Sequence, residues 1–234
     1  MPSATAAYEA SCGSVKHVNL MIDTFIANAP ATDLRAVIRA LLSTIPSTSV
    51  PFNYIARTRL KQSLAKAALP PQSSLFSLRG GIATPTHHFT EVLRHARMLF
   101  GAGLGVDSLP VLTYVIRATF PLRWTMSDND PLLPHLAIID SDLSQAIQSC
   151  KEEVAAGFLQ SEDEIAGAKA ALDELFRALE ESRRLAATWG GEFCFDRVCP
   201  SVCICVWHVS VIFLSRLITQ RSTGDVSFNS LQHL

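Results

Sequence analysis

The sequence predicts an all-α protein, an irregular bundle of six to eight amphipathic helices with a disordered or poorly packed C-terminal tail. Three observations carry this. Apolar residues recur at i, i+3, i+4 and i+7 in one segment after another, which puts them on a single helix face. Helix-start and helix-stop residues punctuate those same segments. No stretch before Trp189 alternates apolar and polar positions with β-branched residues, as a half-buried strand would. At 234 residues and 48% hydrophobic content, the chain can bury one core of ordinary size.

Each element has its own signal. Residues 1–17 are small and polar, and are expected to form a flexible leader. "VNLMIDTFIANAP" supplies a short helix that ends before Pro30. In "TDLRAVIRALLS", Thr32 can cap, while Leu34, Val37, Ile38, Leu41 and Leu42 share a face with Arg35 and Arg39 outside it. Pro46 closes that helix. "STSVPFNYIARTRLKQSLAKAAL" starts with Ser and an early Pro and carries a narrower stripe of Phe52, Ala56, Leu60 and Leu64. "PPQSSLFSLRGGIATP" reads as a loop. "THHFTEVLRHARMLFGAGLG" lines Phe89, Val92, Leu93, Ala96, Leu99 and Phe100 along one side and stops at Gly101.

Beyond it, "DSLPVLTYVIRATF" offers Asp107 or Ser108 as a cap, with Leu112, Val115, Ile116 and Thr119 facing inward. A long helix runs from about Leu132 through "HLAIIDSDLSQAIQSCKEEVAAG". The last one opens on "SEDE", where Ser161 and Glu164 can form a capping box. Acids crowd its start and Arg183 and Arg184 stand near its end, the polarity that the helix dipole favours. The helical domain is thus expected from 18 to 185 and the tail from 186 to 234. Leu34, Val37, Ile38, Leu41, Leu93, Val115, Leu143, Leu172 and Phe176 are expected in the core.

Net charge is −1, so no global field points to nucleic acid. The distribution is uneven. Eleven Lys and Arg face three acids between Ala31 and Arg123, whereas fifteen acids face five bases between Trp124 and Asp196. Acidic helices packed beside basic ones explain this more simply than a basic surface for an anionic partner. The N-terminus lacks the basic and apolar regions of a secretory signal, and the cysteines form no disulfide framework. A cytoplasmic or nuclear setting is the resulting expectation.

Several residue groups invite a chemical reading. "GAGLG" (Gly101, Gly103, Gly105) resembles a phosphate-cradling loop, but that chemistry needs a strand before it, and here a helix precedes it. The glycines read better as a helix end and a close helix–helix approach. His87, Glu91 and His95 stand at i, i+4 and i+8. Two of them can share a metal, but all three span roughly 12 Å of helix, too far for one ion. Arg94, His95, Arg97, Arg117 and Arg123 are candidates for anion binding, with pairing to the acids of 140–181 as the simpler use of Arg117 and Arg123. Asp140 and Asp142 lack the companion ligands of a di-metal bundle. No nucleophile elbow or other triad context is present, and no cofactor is implied.

The tail holds "VCPSVCICVWHVSVIF". Cys194, Cys199, Cys203 and Cys205, with His208 behind, lack the paired knuckle spacing of a zinc site. The uncharged run is too short for a membrane span. Val198–Cys199 permits codons resembling a fungal splice donor, and "LITQ" permits a branch point and acceptor. Val198–Gln220 is therefore expected to be a retained-intron translation that gives the core no periodic face. By elimination, the chain reads as an intracellular protein–protein interaction or regulatory domain. Two rivals stand beside it: an enzyme or small-molecule binder using an interhelical pocket near His87–Arg97, and an anionic-ligand or nucleic-acid binder using the basic Arg35–Arg123 region.

Overall fold

The computed structural model describes residues 15–64, 68–127 and 129–198, together with Val202 and Cys205. Among these, the elements are α1 (Val15–Asn28), α2 (Ala31–Thr44), α3 (Ser49–Leu64), a hairpin of β1 (Phe76–Arg79) and β2 (Ile82–Pro85), α4 (His87–Gly101), α5 (Gly105–Ala118), α6 (Leu133–Ala155) and α7 (Glu162–Thr188). The protein is all-α apart from the two strands. Most of the expected leader lies outside the described residues. The chain divides into two compact units between Ile55 and Ala56, within α3.

In the N-terminal unit the helices form where the sequence places them, but among residues 21–44 none of the apolar side chains is fully buried. On α1, Met21, Ile22, Phe25 and Ile26 are exposed. α2 has no buried residue. Leu34 is half-buried, and Val37, Ile38 and Leu41 are exposed, against the expectation that all four belong to the core. Helical periodicity marks a face suited to burial; it does not say what covers that face. α2 also begins two residues early, with Pro30 at its N-cap and no side-chain cap, so Thr32 does not cap it.

The core of the second unit draws on α4 to α7 and the hairpin. α5 is its axis and packs on α4, α6 and α7. Nine of its fourteen residues are buried, including Leu109, Leu112, Val115 and Ile116. Leu93, Leu143 and Leu172 are buried as expected, and Phe176 packs against the core from a half-buried position. The capping box of α7 forms as the sequence predicts. The Glu164 N–H donates to Ser161 Oγ at 3.1 Å, and the Ser161 N–H donates to Glu164 Oε2 at 3.0 Å.

Three local expectations are corrected. The segment read as a loop contains a hairpin, because Gly80 and Gly81 both adopt positive φ (59° and 83°), the two-residue turn that matches strand twist. Phe76 and Ala83 then face the core. α5 starts at Gly105 rather than at Asp107 or Ser108, because the acceptor for its first turn comes from α6. The packed part also continues past Leu185. The indole N–H of Trp124 donates to the Glu192 carbonyl at 2.9 Å, and Phe195 is fully buried.

Most of Val198–Gln220 lies outside the described residues. The described positions Val198, Val202 and Cys205 fall at i, i+4 and i+7, and all three are buried in the core. At these three positions the tail does give apolar side chains to the core, against the expectation that it contributes none.

The GAGLG corner divides its work between two glycines. Gly103, at φ 76°, ends α4 in left-handed geometry, with the Leu104 N–H donating to Leu99 O and the Gly103 N–H to Phe100 O, both at 3.0 Å. At Gly105 a Cβ would lie 2.2 Å from the backbone nitrogen of Cys150 and 2.6 Å from its Cα. Gly101 needs neither property: its φ is not positive, and a Cβ there meets nothing within 4 Å. Gly105→Ala is expected to force α5 and α6 apart and destabilise the protein by about 3 kcal/mol or more in urea unfolding. Gly101→Ala should stabilise it by about 0.5–1 kcal/mol, and equal effects of the two would contradict this division.

Candidate functional site

Most of the expected anion-binding side chains are neutralised by carboxylates. Arg94 pairs with Glu91 on the same exposed face of α4, at 2.6 Å. Arg97 Nε donates to both carboxylate oxygens of Asp142 at 3.0 Å, and the aspartate is buried. Arg117 pairs with Glu174 of α7. Between α4 and α6 a groove of about 350 Å³ opens beside the Arg97–Asp142 pair, walled by Phe100 and Ile138. His95 is half-buried; burial first, and then the charge of Arg94, pull its pKa down. Arg123 stands apart from these groups. It lines an open cleft of about 510 Å³ with Trp124, Trp189 and the hairpin residues Gly81–Ala83, and has no ion pair with a described residue.

The three metal candidates do not converge. His87 Nε2 lies 3.7 Å from Glu91 Oε1, with both side chains facing solvent, while His95 sits two turns from His87. Among the described residues, no group of three or more His, Cys, Asp or Glu side chains could hold a metal ion. Of the zinc candidates, Cys199, Cys203 and His208 lie outside the described residues. Cys194 is half-buried, and burial pushes its pKa up to about 11.

Two buried arrangements escaped sequence reasoning. The first is at the Gly corner, where a phosphate would have to sit. Glu153 of α6 is buried; its Oε2 accepts from the Val106 N–H at 3.0 Å, and its Oε1 from Arg57 at 2.7 Å. Arg57 also donates to the Gly103 carbonyl and lies 4.3 Å over the Phe158 ring. The protein's own carboxylate thus takes the anion position at the N-terminus of α5. No local signal joins residues 96 positions apart; the only hint is an arginine beside Ala56 and Leu60 in the α3 stripe.

The second arrangement is a pair of thiols. Cys150 of α6 and Cys205 are both buried and free, with their sulfurs 3.7 Å apart. The hydrogen bond between the sulfurs and burial together raise the Cys150 pKa, while the same bond lowers that of Cys205.

Nearer the start of α6, Asp140 is buried with Oδ1 unpartnered and Oδ2 3.9 Å from the exposed Arg197. Burial raises its pKa, Arg197 opposes the rise, and Asp196 adds to it.

Comparisons with protein families, curated proteins and solved structures return no match to this chain. Among the described residues, no helix is long and apolar enough to cross a membrane.

Two predictions come from these buried charges. Glu153→Ala leaves Arg57 without its anion and should lower stability by about 3–5 kcal/mol in urea unfolding, with part regained when Arg57→Met is added. Additive losses in the double variant would contradict the pairing. For Asp140, a folded-state pKa above the unfolded value means that the fold favours the protonated form. Its contribution to stability is therefore full below the unfolded carboxylate value of about 3.9 and is lost as pH rises through the folded pKa. Asp140→Asn should melt higher than the parent at neutral pH, with the gap closing towards pH 4. A gap that widens on acidification would show the opposite sign.

Proposed function

We propose that the chain is a helical protein–protein interaction module that docks its partner on the apolar faces of α1 and α2. The supporting observation is the exposure of Met21, Ile22, Phe25 and Ile26 on one helix and of Val37, Ile38 and Leu41 on the next. These positions fall at helical spacing, so each set forms a continuous stripe and not scattered apolar residues. A stripe of this kind is the anchor set of helix-in-groove recognition, and large exposed apolar patches on soluble proteins mark interaction sites. Neutralisation of Arg94, Arg97 and Arg117 by carboxylates weighs against the anionic-partner alternative. Free buried thiols at Cys150 and Cys205 support a reducing setting, cytoplasmic or nuclear.

The test is crosslinking mass spectrometry on the protein captured with its partner from its own cells. Crosslinks should concentrate on α1 and α2, and a Val37→Asp, Leu41→Asp variant should lose the partner. Its stability should stay within about 0.5 kcal/mol of the parent, because both side chains already face solvent. Retained binding in that variant, or crosslinks confined to α4–α7, would refute the reading.

A further inference from the structure

We propose that Cys150 and Cys205 form an oxidation site: a low-molecular-weight disulfide converts this buried thiol pair to an intramolecular disulfide that ties the C-terminal segment to α6. The geometry supplies the reason. The two sulfurs are in van der Waals contact at 3.7 Å, although the residues are 55 positions apart in the chain. A disulfide needs about 2.05 Å, so closure takes a sulfur displacement of roughly 1.7 Å. Cys150 is held in the last third of the 23-residue helix α6, with its backbone against Gly105. Cys205 belongs to the segment whose Val198 and Val202 are packed into the same core. Moving the Cys205 side chain closes the gap without disturbing α6.

Cys194, the third described cysteine, is half-buried and belongs to the loop beside Trp124, and no described sulfur is in contact with it. The selectivity of the pair therefore comes from packing: one thiol of the C-terminal segment is pressed against one thiol of the helix.

The reaction balances as a two-step exchange. The Cys205 thiolate attacks one sulfur of the small disulfide, forms a mixed disulfide and releases one small thiolate, which takes up the proton that Cys205 lost. The Cys150 sulfur, on losing its proton, attacks the Cys205 sulfur. The Cys150–Cys205 bond forms, and the second small thiolate leaves with that proton. Two protein thiols are oxidised, and one small disulfide is reduced to two thiols. Because both sulfurs are buried, the first step waits on their transient exposure, so oxidation is slow in the native protein and faster in mild denaturant.

The experiment treats the full chain with glutathione disulfide, in buffer and in sub-denaturing urea, blocks the remaining thiols and maps linked peptides by mass spectrometry. The expected product has lost two hydrogens, shows four of its six cysteines blocked and carries a Cys150–Cys205 linked peptide. Its thermal midpoint lies above that of the reduced chain, and dithiothreitol reverses the shift. Cys205→Ser, which leaves α6 intact, should lose both the linked peptide and the shift. Should Cys150→Ser fail to fold, Cys205→Ser alone carries the control. A linked peptide joining Cys205 to Cys199 or Cys203, a stable glutathione adduct without closure, or two thiols still free after treatment in urea would each overturn the proposal.

Discussion

The backbone of α5 meets the backbone of α6 at Gly105, with no room for even a methyl group between them. The rest of the helical core depends on that approach. α5 is the helix that the others pack around, and its direction is set where it leaves α4. One short stretch of α6 holds that corner from three sides. The Ser149 hydroxyl donates to the Phe100 carbonyl at the end of α4, the Cys150 backbone lies against Gly105, and Glu153 accepts from the first turn of α5. The corner is therefore fixed by polar groups whose geometry is specific, while the leucines and isoleucines behind it supply the area. Arg57 belongs to the same arrangement, because a buried Glu153 without a cation would carry a large desolvation penalty.

The two units use amphipathic helices in opposite ways. In α4 to α7 the apolar faces close on one another. In α1 and α2 faces of comparable composition stay exposed, although the helices themselves are formed. A helix stabilised mainly by its own backbone bonds is marginal in water at about 14 residues, so these helices have most to gain from a partner that covers them. That thermodynamic debt supports the interaction reading more directly than any residue motif does, since binding and helix stabilisation then become one event.

Local chemistry was legible and distant chemistry was not. The Ser161–Glu164 capping box, the stop of α4 at the Gly corner and the buried stripes of α4 and α7 follow from spacing alone. The hairpin was missed because its strands are four residues each and alternate only weakly, although Gly80–Gly81 carried the turn signal. Arg57–Glu153, Arg97–Asp142 and Cys150–Cys205 could not be foreseen, since each depends on which helix packs beside which. The same holds for α2: its stripe identified the helix but not the fate of its face. In the tail, Val198, Val202 and Cys205 are spaced for a helix within a run that looks uniformly apolar, where period is hard to see.

Native-state hydrogen exchange tests the central claim most directly, since it reports how tightly each helix is held. If the Gly105 corner organises the core, the amides of α5 and of α6 around Ser149–Glu153 exchange only through global unfolding, with opening free energies equal to the stability measured in urea. Those of α1 and α2 exchange through local opening at far lower free energy. Equal protection of α1, α2 and α5 in the isolated chain would contradict the account, as would corner amides that open without the rest of the core.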